Sequence, residues 1–258
     1  MHHYKFQVPT NTKQVRGQVT GYLFRKFDCI EIENKDQIED DRYLVFSHPF
    51  DDWVLDAITE NKNLNFFHID NGYIGNSRHK TPWYYRITYN DMQNVNVKSI
   101  PFSRLDKLEI DENLWNDAWS TEGEYNLLVM PNQSNIFKYL GEDYEQWRSK
   151  TIAHYESLDV PLIVREKEGK RKQRFESIVP LMQNAQKVIT YHSMAVVEAL
   201  CLGKPIEVLG QSAVQHWQNK TGFDRNEMLE HIAWSQFSRS EFGSGIAWER
   251  TFEYQVNK

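Results

Sequence analysis

The stretch from Lys187 to Gly210, KVITYHSMAVVEALCLGKPIEVLG, puts three residues able to hold an anion where a short apolar strand should run into a helix. Tyr191, His192 and Ser193 form that junction, with Met194 beside them. The backbone N–H groups of the helix's first turn have no intrahelical partner. Orphan donors and the helix dipole both favour a phosphate at such a place; Ser193 can cap the helix and His192 can donate to an oxygen of the same group. Gly203 follows where a left-handed residue is needed, and Pro205 prevents the helix from continuing. Singly, each of these residues reads as an ordinary cap or surface residue. Together, at the carboxyl end of a strand in an open α/β sheet, they make the best ligand site in the chain.

Two further segments of the same half bear on it. The strand Pro161 to Arg165 leads into EKEGKRKQR, so that Arg165, Lys167, Lys170, Arg171, Lys172 and Arg174 concentrate positive charge able to offset a diphosphate. Arg165 and Lys167 stand nearest the strand end. The alternative is a solvated charged loop. The turn Met130, Pro131, Asn132, Gln133, Ser134 follows the first strand of this half; it reads equally as an ordinary turn or, through Asn132 and Gln133, as a candidate ligand contact.

In the first half, Asn65 to Asn94 reads as a buried strand ending in Asp70, Asn71 and Gly72. A polar loop with Tyr73, Arg78, His79 and Lys80 follows, then an aromatic strand with Tyr84, Tyr85 and Arg86. A carboxylate at a strand end can take a proton from an acceptor hydroxyl, which makes Asp70 the candidate base, with His79 and His48 as substitutes. Asp-Asn-Gly is equally a strong turn former. Asn71, Tyr73, Arg78, Lys80 and Tyr84 are the candidate acceptor contacts.

The elements that must position these residues alternate. Strands are expected at Cys29–Glu33, Tyr43–Ser47, Asn65–Ile69 and Tyr84–Tyr89, with an amphipathic helix after Asp51 and Asp52. The second half repeats the rhythm with strands at 126–130, 161–165, 187–190 and 205–209 and helices between, the pattern of a parallel sheet covered on both faces. No strand is expected after Leu209. Two helices separated near Ser238 should follow, the second capped by Ser238 or Ser240 with Glu241, with Ile232, Ala233, Phe237, Phe242 and Ile246 facing a core. The polar segment 99–125 suggests a boundary near residue 120, giving domains 1–120 and 121–258.

The 258 residues, 40% hydrophobic and 14% aromatic, describe a folded globular chain rather than a disordered or collagen-like one. A net charge of −6 disfavours a sequence-independent polyanion binder. Residues 1–110 hold 14 basic and 15 acidic side chains, the remainder 16 and 21, so a nucleic acid would meet the first half. Cys29 and Cys201 are too few for a disulfide framework, and neither an apolar leader nor a membrane-length apolar run is seen, so a cytoplasmic setting without membrane contact is expected. Gly-rich phosphate loops, His-Glu-x-x-His and nucleophile elbows are lacking. The pairs Asp40/Asp41 and Asp51/Asp52 diverge as neighbours and read as turn and helix-start residues, so no metal is assigned.

The run YHSMAVVEALCLGKPIEVLG resembles the donor-site motif of GT-B glycosyltransferases. That resemblance implies an α/β fold of two Rossmann-like domains facing across a cleft, with the C-terminal helices bracing the first domain. It also implies a nucleotide-sugar donor, UDP-linked, as co-substrate with no cofactor or metal. Tyr191, His192 and Ser193 would then contact the diphosphate and Glu198 the ribose, although the Ser193–Glu198 spacing departs from the plant-type signature. The Asp70-Asn71-Gly72-Tyr73 loop, the Tyr84-Tyr85-Arg86 strand and IAWSQFSRSEFGSGIAW resemble phage-encoded glycosyltransferases. These imply hydroxymethylated DNA bases as acceptor, met by Arg78, His79, Lys80, Trp83, Tyr84 and Tyr85. A surface glycan as acceptor, or a non-catalytic sugar-nucleotide-binding module, are the alternatives. The sequence assigns no oligomeric state.

Overall fold

The short β-branched and aromatic runs of the sequence become strands, and the amphipathic stretches between them become helices. The computed structural model describes residues 4–10, 19–47, 50–74, 84–93, 104, 118–131, 135–166, 177–219 and 221–256. In chain order these form β1 (Lys5–Pro9), α1 (Gly21–Lys26), β2 (Asp28–Ile32), β3 (Tyr43–Ser47), α2 (Asp52–Glu60), β4 (Phe66–Asn71) and β5 (Tyr84–Tyr89). Next come β6 (Tyr125–Val129), α3 (Asn135–Leu140), α4 (Tyr144–Glu156), β7 (Leu162–Arg165), α5 (Val179–Gln183), β8 (Ala185–Thr190), α6 (Ala195–Cys201) and β9 (Ile206–Val208). The chain closes with α7 (Arg225–Ala233), β10 (Gln236–Ser238), α8 (Arg239–Ser244), α9 (Ile246–Thr251) and a π-helical segment Phe252–Val256. Among the described residues no helix is long and apolar enough to cross a membrane.

The chain divides into two units, 1–108 with 230–258, and 109–229. The first division falls ahead of residue 120 because the segment beyond it is tied to the second unit. Ser120 N–H donates to the Gly203 carbonyl at 3.0 Å and Glu124 N–H to that of Asn184 at 2.9 Å. Residues 230–258 count with the first unit because β10 extends its sheet.

Both sheets are wound alike. The first has the order β10-β5-β4-β3-β1-β2 and the second β7-β6-β8-β9. Taking each unit's first four strands as 1 to 4, the parallel part of each sheet reads 2-1-3-4. The chain therefore leaves its first strand in one direction, then crosses back over it. Right-handed crossovers in opposite directions put helices on both faces, which makes this a mixed, doubly wound α/β fold. In the first sheet β5 and β10 are the antiparallel exceptions, each running against its neighbour.

One face of the first sheet buries Phe6, Val8, Val45, Phe67, Ile69 and Ile87 against Phe242, Ala247, Trp248 and Phe252 from the C-terminal elements. Trp248 is fully buried and its indole N–H donates to the Val19 carbonyl at 3.1 Å, so this large ring enters the core with its polar atom satisfied. Ser238 caps α8 in a reciprocal box with Glu241, as its spacing predicts. Phe237 and Phe242 are buried as expected, whereas Ile246 remains 43% exposed. In the second unit Leu128, Met130 and Ile189 pack under Tyr155 of α4, with Tyr144, Trp147 and Ile152 around them. Strand alternation then turns Leu127 and Val188 to the opposite face.

Strands β1 and β10 depart from the sequence reading, and the second expected C-terminal helix is split at Gly245 into α8 and α9. The expected strand end at Asp70 and Asn71 is present despite their turn propensity. Asp70 and Asn71 lie within β4 rather than in a turn, since Asp70 pairs with Arg86 and Asn71 with Tyr85 across β5. Strand β10 follows Leu209 where none was expected, pairing Gln236, Phe237 and Ser238 with Arg86, Tyr85 and Tyr84.

Candidate functional site

The carboxyl edge of the second sheet is a single row of residues. Arg165 of β7 stands opposite Val129 of β6, Val129 opposite Thr190 of β8, and Thr190 opposite Val208 of β9. The connections reverse direction between β6 and β8, which is the topological position at which doubly wound sheets bind ligands. Residues Tyr191 to Met194 leave β8 at that point, Met130 and Pro131 leave β6, and Arg165 ends β7 one strand away, about 5 Å across the sheet from Val129.

A short chain of hydrogen bonds fixes the β8–α6 turn. Thr190 Oγ1 donates to the Val129 carbonyl at 2.8 Å and accepts from the Ser193 N–H at 3.3 Å. Ser193 Oγ accepts from the Ala195 N–H at 3.2 Å, a local turn bond just ahead of the helix, which itself has no side-chain cap. His192, Ser193 and Met194 are half-buried, with Met194 as the N-cap residue of α6. Gly203, at φ +73°, ends the segment in the left-handed region, and a Cβ there would collide with the Ala118 carbonyl.

Tyr191 requires a correction. Its side chain is fully buried, stacked on Phe137 with centroids 4.1 Å apart and edge-on to Trp147 at 5.0 Å. Gly210 closes the other side, where a Cβ would stand 2.7 Å from the ring. Burial, and then the nearby Glu142 carboxylate, push the phenol's pKa well up. The ring is a core plug beneath the turn, withdrawn from any diphosphate.

Glu198 lies in the first turn of α6, and burial pushes its carboxyl up from the usual range. A half-buried carboxyl of this kind suits hydrogen bonding to hydroxyls. Burial also pushes the thiols of Cys29 and Cys201 up to about 12, so neither offers a thiolate at neutral pH.

In the first unit the chemistry concentrates at the β4–β5 pair. The Asp70 carboxylate, 27% exposed, accepts from Arg86 Nη2 at 2.9 Å and from the Asn71 N–H at 2.7 Å through its other oxygen. Arg86 is only 2% exposed, and its guanidinium lies over the Tyr73 ring at 5.0 Å. Gln236 pins the following backbone: its Oε1 accepts from the N–H groups of Tyr73 at 2.7 Å and Ile74 at 3.1 Å, while its Nε2 donates to the Ile74 carbonyl at 2.8 Å.

Two acceptor assignments change as a result. Tyr73 is 6% exposed and its hydroxyl donates to the Gln93 carbonyl at 2.9 Å; burial pushes its pKa up. Tyr84 is 4% exposed at the start of β5. Neither ring is presented for stacking on a base. Asn71 is exposed at the strand end. Tyr85 is also buried, its hydroxyl accepting from Arg239 Nη2 at 3.0 Å. His48, Arg78, His79, Lys80, Trp83, Asn132, Gln133, Ser134, Lys167, Lys170, Arg171, Lys172 and Arg174 lie outside the described residues. Sequence reasoning passed over Thr190, Arg86 and Gln236. Of these only Thr190, the polar residue closing an apolar strand run, carried a signal.

With this geometry in hand, two solved structures from Thermosulfurimonas dismutans are similar to the chain. The KpsC beta Kdo 2,7 transferase matches with a TM-score of 0.54 at 11% sequence identity, over 95% of this chain and 99% of that one. The KpsC beta Kdo 2,4 transferase matches with a TM-score of 0.46 at 14% identity, over 91% of each chain. The first likeness shows a shared fold, of the Rossmann-like α/β kind defined above. No protein-family model matches the sequence. No curated protein matches it either.

Proposed function

We propose that this chain is a glycosyltransferase, moving a sugar from a nucleotide-activated donor to a hydroxyl acceptor. The observation that carries the reading is the switch point between β6 and β8, where the direction of winding reverses and the turn after β8 is held by Thr190. In this reading His192 and Ser193 meet the donor's phosphate, and Glu198 meets its ribose hydroxyls. Arg165 supplies charge from the neighbouring strand, assisted by Lys167, Asn132 and Gln133. Such groups would stabilise the departing phosphate as its negative charge grows.

Asp70 is the carboxylate assigned to the chemistry, with His79 as its substitute. In an inverting reaction it takes the acceptor's proton; in a retaining one it orients the acceptor. The arrangement of the units as a GT-B pair, with donor in the second and acceptor at the first, belongs to the same proposal, as does a soluble cytoplasmic enzyme using a UDP-linked sugar without a metal.

For the acceptor, the solved structure with the higher TM-score is a Kdo transferase, which favours a carbohydrate hydroxyl over a hydroxymethylated DNA base. Asn71, exposed beside Asp70, is the described residue best placed to touch it. The test is hydrolysis and transfer with a panel of UDP, GDP, ADP and CMP sugars, offered oligosaccharide and hydroxymethylated DNA acceptors separately. Turnover of one donor supports the reading, and transfer to DNA alone would reverse the choice of acceptor. A chain that binds a donor and never turns it over is a binding module instead.

A further inference from the structure

We infer that Arg86 is the positioning residue for Asp70, an inference that rests on the transferase reading and adds a residue to it. Arg86 and Asp70 are direct cross-strand partners on β5 and β4, so the pleat brings their side chains to one face without any loop between them. The guanidinium is 2% exposed and donates through Nη2 to Asp70 Oδ2 at 2.9 Å, while the carboxylate keeps 27% of its surface in solvent. One end of the pair is thus anchored in the interior and the other is presented outward.

As a stability device the pair is poor. Among the described residues Arg86 Nε and Nη1 meet no acceptor, which leaves a buried cation with most of its donors unspent. Burying a charge this way costs more than an apolar pair of the same volume. What the arrangement does supply is orientation. The guanidinium carbon lies over the Tyr73 ring at 5.0 Å, the Tyr73 backbone is itself held by Gln236, and the Asn71 N–H donates to the second carboxylate oxygen. The carboxylate is therefore fixed at both oxygens, with its rotamer set by a planar donor that Lys cannot imitate.

The test measures kcat and KM for nucleotide-sugar hydrolysis, together with Tm, in wild type, Asp70→Asn, Arg86→Met and Arg86→Lys. Misplacing Asp70 should lower kcat roughly 100-fold in Arg86→Met, and less in Arg86→Lys, with the donor KM within about twofold of wild type. A purely structural Arg86 would lower Tm and leave the kcat of the folded fraction intact. If Asp70→Asn is inactive while folded Arg86→Met or Arg86→Lys keeps the wild-type kcat, the positioning role is overturned and the transferase reading stands. Should Arg86→Met fail to fold, Arg86→Lys alone decides. If wild type hydrolyses none of the UDP, GDP, ADP or CMP sugars, or Asp70→Asn turns over normally, the catalytic reading itself falls and the role of Arg86 falls with it.

Discussion

Thr190 Oγ1 donates to the Val129 carbonyl at 2.8 Å, which ties the ends of the two strands that flank the reversal point in the second sheet. The same oxygen accepts from the Ser193 N–H at 3.3 Å, so one fully buried hydroxyl sets both the strand end and the turn beyond it. Thr190→Val keeps the shape and removes both bonds. It should cost about 1–3 kcal/mol in urea denaturation, since two buried polar groups lose their partner. A stability within experimental error of wild type would show that the turn is held by packing alone.

Gly203 and Gly141 share φ +73°, yet only Gly203 faces a neighbour that a Cβ would strike. Alanine at either position should pay about 1–2 kcal/mol for a left-handed residue. Gly203→Ala must also displace Ala118, so it should lower Tm distinctly further than Gly141→Ala. Equal losses at the two sites would contradict the close approach of Ala118.

Glu198 carries a folded pKa raised by burial, so its contribution to stability is complete below the unfolded value and is lost as pH rises through the folded one. As pH rises the ionised group becomes a burden. Glu198→Gln should therefore raise Tm at pH 7 and leave it unchanged near pH 3. If the carboxyl also holds ribose hydroxyls, the variant should bind nucleotide about tenfold more weakly, the loss of one charged hydrogen bond. Calorimetry on the stabilised variant separates the two effects, and a Tm that falls at pH 7 would refute the first.

For Glu241, burial alone would raise the pKa, but the Arg104 hydrogen bond and those from Ser238 outweigh it and hold the carboxyl below its usual range. Arg104 Nη1 donates to Glu241 Oε1 at 2.8 Å, and the Ser238 N–H to Oε2 at 2.9 Å. A depressed folded pKa gives stability that is present above the unfolded value, about 4.3, and is lost as pH falls through the folded one. Wild type should lose stability steeply below about pH 4, and Glu241→Gln should show a shallower acid slope. Identical slopes would mean that this ion pair plays no part in acid unfolding.

How far these features could be read beforehand depended on whether their cause was local. Tyr43–Ser47 was legible as a short apolar run that has to be buried, Tyr84–Tyr89 as a run rich in aromatic and β-branched residues, and the Ser238–Glu241 box because its two partners lie three residues apart. Strand β10 was not legible: Gln236-Phe237-Ser238 is too short and polar to be a strand until it pairs with β5. The turn propensity of Asp70-Asn71-Gly72 was overridden by pairing of Asp70 and Asn71 with Arg86 and Tyr85, and by the distant Gln236 amide. Tyr191 looked like a polar turn residue because Phe137 and Gly210, which enclose it, lie far off in sequence. The β6–β8 edge was found in outline, since a strand running into a polar turn and a helix is a local pattern. Its fastening through Thr190 and Val129, 61 residues apart, was not.

In the proposed function the β6–β8 edge binds a nucleotide-activated sugar through the turn at His192 and Ser193. Calorimetric titration of wild type and of the double variant His192→Ala/Ser193→Ala with UDP, GDP, ADP and CMP sugars tests it most directly. One donor should bind wild type and raise its Tm, with affinity for the double variant at least about tenfold weaker, as expected for the loss of charge-assisted bonds to a phosphate. Unchanged affinity in a folded double variant, or no binding of any donor to wild type, would contradict it.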